Sequence, residues 1–203
     1  MSALTIALSK GKLLLGAEAL FRRAGLPFPS GEGRKLVVLE TGLRFLFVKD
    51  KDVPTYVEYG VADCGVAGRD VLLESGSDVY EPLDLGFGHC RLVVAGRSPA
   101  APAAATLRVA TKYPRVTAAH FLARGTSVEV VTLAGSVELA PALGLADCIV
   151  DVVETGRTLA ENGLLAQDEV ATSSARLIVN RASYHARRAE VSQLLQKLRE
   201  ALS

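Results

Sequence analysis

Short apolar segments rich in Val, Ile and Leu alternate along this chain with segments whose apolar residues recur at helical spacing. "LTIALS" (4–9), for example, precedes "KLLLGAEALFRRAG" (12–25), and "DCIVDVV" (147–153) precedes "TGRTLAENGLL" (155–165). A strand that is followed by a helix of crossover length usually joins a parallel sheet. The chain is therefore predicted to be an α/β protein with mainly parallel sheets.

A change in composition near the middle divides this pattern in two. The segment "RSPAAPAAAT" (97–106) is rich in Pro and Ala and lacks apolar periodicity, which is typical of a linker. The alternation of strands and helices resumes after it. Two α/β lobes with a cleft between them are the expected architecture, and such clefts are preferred positions for ligands.

The overall charge and the cysteines exclude several classes of function. A formal net charge of +1 over 203 residues leaves no basic surface of the kind that nucleic-acid binding requires. Cys64, Cys90 and Cys148 lie far apart in apolar segments, as reduced thiols do. The chain begins without the pattern of a signal peptide and has no run of about 18 apolar residues. We therefore expect a cytoplasmic protein that binds neither nucleic acid nor membrane.

The histidines and the missing motifs argue against a zinc site and against covalent catalysis. His89, His120 and His185 are isolated, without the spacing of zinc ligands. No Gly-x-Ser-x-Gly segment and no paired Cys and His indicate a covalent nucleophile. The sequence therefore favours a reaction that needs positioned substrates and charge stabilisation rather than attack by a side chain.

The turn "TGRT" (155–158) has the composition of a phosphate-binding loop. It follows a predicted strand and begins a predicted helix, where unpaired backbone N–H groups and the helix dipole attract anions. Gly156 permits a close backbone approach or a positive φ. The hydroxyls of Thr155 and Thr158 can donate to phosphate oxygens, and an inward-pointing Arg157 would bind two of them.

The acids before this turn call for a different partner. Asp151 and Glu154 would repel a phosphate unless they hold a cation or accept hydrogen bonds from sugar hydroxyls. Together with the turn, they suggest a sugar phosphate that carries vicinal hydroxyls, with Mg²⁺. The local pattern leaves a second interpretation open, in which Glu154 or Thr155 caps a helix and Asp151 is solvated at a strand end.

Two further strand-to-helix turns in the first half could also bind phosphate. "LSKGK" (8–12) places Lys10 and Lys12 on either side of Gly11, and "CGVAGRDVL" (64–72) repeats a strand, a glycine and a helix. Surface lysines are common, so the first of these signals is weak by itself.

One longer segment resembles the signature of a known enzyme family. Residues 138–159, "ELAPALGLADCIVDVVETGRTL", are similar to the signature of ATP phosphoribosyltransferase, the first enzyme of histidine biosynthesis. The signature residues present here are Glu138, Gly144, Ala146, Asp151, Thr155, Gly156, Thr158 and Leu159. The resemblance continues through "LSKGK", 52–74, "CRLVVAG" (90–96) and "RVATKYP" (108–114), and so covers nearly the whole chain.

The resemblance implies a fold and its division into lobes. Family members have two α/β lobes similar to those of type II periplasmic binding proteins, and their C-terminal segment returns to the first lobe. On this basis the first lobe is expected to comprise residues 1–96 plus 175–203. The second is expected to comprise residues 97–174 and to carry the phosphoribosyl diphosphate loop.

The resemblance also implies an activity and a partner. ATP phosphoribosyltransferases join ATP to 5-phosphoribosyl 1-diphosphate, giving N1-(5-phosphoribosyl)-ATP and diphosphate. Ser9 and Lys12 replace the usual Pro and Arg of the first turn, and Val66 and Ala67 replace Ile and Thr, as in the short-form branch. The chain stops one helix after "RLIVN", where long forms carry a regulatory domain. A regulatory subunit resembling histidyl-tRNA synthetase, and a homodimer within a hetero-oligomer, are therefore implied.

The candidate residues take roles from the same resemblance. The expected ligands of phosphoribosyl diphosphate are Asp151, Glu154, Thr155, Gly156, Arg157, Thr158 and Leu159. The expected ATP-binding residues are Lys10, Gly11, Gly65, Gly68 and Asp70. Lys12 and Arg34 are the expected catalytic residues, which would counter the negative charge that grows as the ribose C1–O bond breaks. Mg²⁺ is the implied cofactor, reached by Asp151 and Glu154 through the substrate.

Two other functions fit parts of the sequence. A two-lobed binding protein would capture an anion without converting it, although such a trap would avoid acids at positions 151 and 154. A base-salvage phosphoribosyltransferase would use a free purine or pyrimidine in place of ATP.

Overall fold

The computed structural model describes residues 3–29, 35–97 and 106–203. Its strands are β1 (Leu4–Ser9), β2 (Val37–Glu40), β3 (Leu43–Val48), β4 (Cys64–Gly68), β5 (Tyr80–Asp84), β6 (Cys90–Gly96), β7 (Leu107–Thr111), β8 (Val128–Thr132), β9 (Cys148–Val153), β10 (Leu165–Ser173) and β11 (Ala175–Val179). Its helices are α1 (Leu13–Arg23), α2 (Val53–Glu58), α3 (Arg69–Ser75), α4 (Pro114–Ala123), α5 (Leu139–Ala142), α6 (Arg157–Glu161), α7 (Arg181–Ala186) and α8 (Arg188–Leu202). None of the helices described is long and apolar enough to cross a bilayer.

The chain forms two compact α/β units, which confirms the predicted fold class. The first unit is discontinuous and consists of Met1–Gly88 and Ser174–Ser203, and the second is His89–Ser173. The first contains a six-stranded sheet in the order β2-β3-β1-β4-β11-β5. The second contains a five-stranded sheet in the order β10-β6-β9-β7-β8.

Helices cover both faces of the first sheet. On one face, apolar residues of α1 and α8, such as Phe21 and Leu198, pack with strand residues such as Phe45 and Leu177. On the other face, Val53 and Val57 of α2 pack with strand residues that alternate with the first set. In this sheet β1 lies between β3 and β4 and is parallel to both. Their carboxyl ends therefore share one edge, which is where ligands bind in α/β proteins.

The second sheet has a similar parallel centre. β7 is parallel to both β8 and β9, while β6 and β10 run antiparallel to their neighbours. One face is covered by α5 and α6, and the other by α4, whose Phe121 packs with Val109 and Val150. The carboxyl ends of β7 and β9 thus lie side by side.

The prediction of mainly parallel sheets is wrong. Among the described strands, four pairs are parallel and five are antiparallel. One antiparallel pair is the β2–β3 hairpin, closed by a short turn in which Gly42 has a φ of +83°. The other four pairs involve β5, β6, β10 and β11, the strands on either side of the two points where the chain passes from one unit to the other. No crossover helix connects β5 to β6 or β10 to β11.

The first predicted lobe boundary, between residues 96 and 97, also needs correction. Strand β6 was assigned to the first lobe, but it lies between β10 and β9 in the second sheet. The chain leaves the first unit earlier, after Gly86 and Gly88, both of which have positive φ. The predicted linker at 97–106 lies mostly outside the described residues, which stop at Arg97 and resume at Thr106.

Several predicted helices are shorter than expected. Only 139–142 of the predicted helix 136–146, and only 157–161 of the predicted helix 155–165, are helical. The closing helix 184–203 is divided at Arg187 into α7 and α8. Strands β5 and β10 were not predicted at all.

Candidate active site

Asp151 lies near the end of β9, at the carboxyl edge of the second sheet. Its side chain is only 9% exposed, and its Oδ1 lies 3.1 Å from Nζ of Lys112, which directly follows β7. The same oxygen accepts a hydrogen bond from the backbone N–H of Val152 at 2.8 Å. The pair forms because β7 and β9 are parallel neighbours, with Thr111 opposite Val150. A buried carboxylate at this edge can bind hydroxyl groups of a ligand.

The turn after β9 has the backbone geometry that its sequence predicts. Gly156 has a φ of +82°, in the left-handed region that favours glycine, and it immediately precedes α6. Oγ1 of Thr155 accepts a long hydrogen bond of 3.5 Å from the backbone N–H of Arg157. Glu154, Thr155 and Thr158 are exposed. The turn therefore presents hydroxyl groups to solvent next to Asp151.

Two residues predicted to bind the substrate have other surroundings. Arg157 is 84% exposed, and its Nε donates to Oε1 of Glu161 at 2.8 Å, one helical turn further on. It does not point inward as the predicted phosphate fork would require. The Leu159 side chain is buried in the apolar cluster that includes Val93 and Ile149, where it anchors α6 to the sheet.

The predicted ATP-binding turns lie together at the carboxyl edge of the first sheet. Lys10, Gly11 and Lys12 follow β1, and Asp70 lies in the first turn of α3 after the parallel strand β4. Lys10 and Lys12 are exposed, with Nζ of Lys10 5.4 Å from the centre of the Phe47 ring. Two cations at this edge can attract a polyphosphate.

The glycines of β4 differ from each other. Gly65 lies within the strand, and a Cβ there would come within 2.8 Å of Val57 Cγ2 and 2.9 Å of Val53 Cγ1. Glycine is therefore required for packing α2 on the sheet, and the prediction that Gly65 binds ATP is not needed to explain it. Gly68 ends the strand in extended backbone and immediately precedes α3, at the edge where ligands bind.

The remaining catalytic prediction, Arg34, lies outside the described residues. No group of three or more His, Cys, Asp and Glu side chains in the described part of the chain could hold a metal ion. Lys112 also occupies one side of Asp151. These residues do not form a metal site built by the protein alone.

The family model described as HisG: ATP phosphoribosyltransferase matches residues 49–200. This chain belongs to that family. The ATP phosphoribosyltransferase of Symbiobacterium thermophilum is 49% identical over 100% of this chain and 96% of its own length. That of Geobacillus kaustophilus is 50% identical over 96% of each chain.

Solved structures agree with the family and with the fold. The ATP phosphoribosyl transferase (HisG:HisZ) complex from Thermotoga maritima contains a chain that is 36% identical, with a TM-score of 0.88 over 98% of both chains. The periplasmic aliphatic sulphonate binding protein SsuA from Escherichia coli has a TM-score of 0.61 at 13% identity and covers 99% of this chain. The latter likeness concerns the fold alone and confirms the expected resemblance to periplasmic binding proteins.

Sequence reasoning missed Lys112, the ion-pair partner of Asp151. It lies in "RVATKYP", which was noted only for its likeness to the family. The signal that could have identified it is its position directly after a strand predicted to be parallel to the strand of Asp151, since the carboxyl ends of parallel neighbours meet at one edge.

A buried histidine supports the second unit away from this edge. Nε2 of His120 in α4 lies 3.0 Å from Oδ2 of Asp168 in β10, and its Nδ1 lies 3.0 Å from NH1 of Arg124. Because an arginine can only donate, Nδ1 accepts and the Nε2–H group donates to Asp168. Burial, and then the charge of Arg124, lower the pKa of His120 below its usual 6.5, while Asp168 opposes this shift.

The stability of the protein is therefore expected to fall as the pH is lowered below about 6.5. The unfolded state, with its ordinary histidine pKa, binds protons there more readily than the folded state, so acid favours unfolding. The measurement is the thermal midpoint between pH 7.5 and 5 for the wild type and for His120→Gln. The variant is expected to lose part of this pH dependence. Equal pH dependence in the two proteins would contradict this role of His120.

Proposed function

We propose that this chain transfers the phosphoribosyl group of 5-phosphoribosyl 1-diphosphate to N1 of the adenine of ATP and releases diphosphate. This is the first step of histidine biosynthesis. The observation that carries the proposal is the folded signature loop, in which a buried strand-end carboxylate at Asp151 precedes a left-handed turn at Gly156. The family to which the chain belongs is named for ATP and for the transfer of a phosphoribosyl group.

The second unit supplies the groups for the sugar phosphate. The turn at 154–158 binds the 5-phosphate through its hydroxyls and backbone N–H groups. Asp151 and Glu154 accept hydrogen bonds from the ribose hydroxyls, which fixes the ring for departure of the diphosphate. If Arg157 also binds the 5-phosphate, its side chain turns away from Glu161. Leu159 contributes by holding α6 in place.

The first unit supplies charge for the phosphates. Lys10 and Lys12 counter the negative charge of the ATP phosphates and of the departing diphosphate, together with Arg34. Gly11 and Gly68 allow close approach of the backbone, and Asp70 accepts from the nucleoside. Adenine N1 attacks C1 with its own lone pair, so no base is needed to activate it.

Mg²⁺ enters, in this proposal, as part of the substrate. The ion would offset the negative charge of the diphosphate, and Asp151 and Glu154 would reach it at most through the substrate. Cys64, Cys90 and Cys148 form no disulfide, which favours a cytoplasmic location.

We also propose a regulatory partner. One solved structure that contains a chain similar to this one is a complex named for HisG and HisZ. This chain, with its matching length and fold, is proposed to form a homodimer within a hetero-oligomer that contains a regulatory subunit resembling histidyl-tRNA synthetase.

The test is an assay of the purified chain, alone and co-purified with the histidyl-tRNA synthetase-like subunit of its own organism. Incubation with ATP, phosphoribosyl diphosphate and Mg²⁺ is expected to release diphosphate and N1-(5-phosphoribosyl)-ATP, which mass spectrometry detects. Product with free adenine but none with ATP would instead identify a base-salvage enzyme. Binding of phosphoribosyl diphosphate without turnover in either preparation would identify an anion-binding protein.

A further inference from the structure

We propose that Lys112 is a positioning residue, which acts through Asp151 to bind phosphoribosyl diphosphate. The inference rests on the proposed function, because it concerns the same site. Lys112 lies outside the signature segment, and no role is predicted for it from the sequence. Its contact with Asp151 joins positions that are 39 residues apart in the chain.

The two oxygens of Asp151 have different surroundings. Oδ1 lies 3.1 Å from the ammonium group of Lys112 and accepts a hydrogen bond from the backbone N–H of Val152 at 2.8 Å. Oδ2 receives no hydrogen bond from the residues that the structure describes. Among the described residues, the only fully buried side-chain N or O atom that lacks a hydrogen-bond partner is Nε of Arg176. Oδ2 of Asp151 is therefore not fully buried, and solvent reaches it. The side chain is thus fixed by one oxygen and open to a ligand at the other.

The backbone on both sides of Lys112 is fixed to the sheet. Thr111 is fully buried, and its Oγ1 donates to the carbonyl oxygen of Val150 in β9 at 2.7 Å. The same oxygen accepts from the backbone N–H of Tyr113 at 2.9 Å. The Lys112 side chain, 29% exposed, therefore starts from a rigid position beside Asp151.

This arrangement has two consequences for a substrate rich in phosphates. The ammonium group restricts the rotation of the Asp151 carboxylate, so that Oδ2 is already oriented for a ribose hydroxyl. It also offsets the negative charge of the carboxylate, which would otherwise repel the phosphate groups on either side of the ribose. Loss of Lys112 is expected to weaken phosphoribosyl diphosphate binding while leaving ATP binding unchanged.

The test is a double-mutant cycle with Lys112→Met and Asp151→Asn, measured by isothermal titration with phosphoribosyl diphosphate and Mg²⁺. With Asp151 present, Lys112→Met is expected to raise the Kd about tenfold, which lies within the usual range for coupled neighbours. In the Asp151→Asn background the same change is expected to alter the Kd by less than about twofold. Lys112→Arg, which keeps the charge, is expected to restore most of the affinity.

Arg108→Met is the matched control. Arg108 and Asp147 form an ion pair between the same two neighbouring chain segments, but at the opposite edge of the sheet. Its loss is expected to leave the Kd unchanged. If Lys112→Met fails to fold, Lys112→Gln takes its place in the cycle.

The outcomes separate this inference from the proposed function. An equal effect of Lys112→Met in both backgrounds would mean that Lys112 contacts the substrate itself, and no effect in either would mean that it has no role in binding. Both results would overturn the positioning role but leave the function intact. Failure of the wild-type chain, with its regulatory subunit, to bind phosphoribosyl diphosphate would refute the function itself.

Discussion

Asp151→Asn is expected to lower kcat/KM for phosphoribosyl diphosphate by about 10- to 150-fold, with little change in the KM for ATP. A hydrogen bond to a charged group contributes about 1.5–3 kcal/mol, and each 1.36 kcal/mol corresponds to a factor of ten. The asparagine keeps the size of the side chain and an oxygen for the Val152 N–H group. It removes the charge that the ribose hydroxyls would meet, and it leaves the Lys112 ammonium group without its counterion.

Glu161→Gln provides the control for Asp151→Asn. Glu161 is an acid ten residues further along, at the end of α6, but it is well exposed and pairs with Arg157 on the helix surface. Its replacement is expected to change kcat/KM by less than twofold, because exposed ion pairs of this kind contribute little. If Asp151→Asn keeps more than half of the wild-type kcat/KM and an unchanged circular dichroism spectrum, Asp151 does not bind the substrate.

The position of Asp151 could be predicted from the sequence, whereas its partner could not. The signature segment contains Asp151 and the turn at 155–158 in one continuous stretch, so a local pattern was sufficient. Lys112 meets Asp151 only because β7 and β9 are neighbours in the second sheet. Strand order is decided by packing of distant segments, and a periodicity in one segment carries no information about it.

The direction of Arg157 illustrates a competing local interaction. An arginine at the start of a helix in this turn suggests a side chain that binds two phosphate oxygens. Glu161, however, lies four residues later, at the spacing where helical side chains contact each other. The Arg157–Glu161 pair forms on the helix surface. That spacing was visible in the sequence and could have predicted an outward-pointing side chain.

The errors in the fold have a related cause. Strand β10 carries Gln167, Asp168 and Glu169, is largely exposed and has two irregularities in its pairing with β6. Such edge strands lack the apolar alternation on which strand prediction depends. The linker composition at 97–106 likewise indicated where the chain is irregular, but not which sheet β6 would join.

Asp63→Ala is expected to destabilise the first unit by about 1–3 kcal/mol, the usual effect of removing the acceptor of buried hydrogen-bond donors. Asp63 and Arg187 are 13% and 18% exposed, and Asp63 Oδ2 accepts from NH1 of Arg187 at 2.8 Å. The same oxygen accepts from the backbone N–H of Thr5, and Oδ1 accepts from Oγ of Ser183 at 2.7 Å. One carboxylate therefore joins the start of β1 to the returning C-terminal segment. Its loss removes one partner from each of three donors, of which Arg187 keeps its ion pair with Glu190.

Asp78→Ala is the matched comparison, since Asp78 also pairs with an arginine of the C-terminal segment, Arg181, but at the surface. Its loss is expected to cost about 1 kcal/mol or less. The measurement is urea unfolding followed by circular dichroism for the wild type and both variants. Equal midpoints for Asp63→Ala and Asp78→Ala would contradict the view that the Asp63 cluster fastens the discontinuous unit. The expected difference follows from burial: water can replace Asp78 as a partner of Arg181, whereas it cannot readily reach the donors around Asp63.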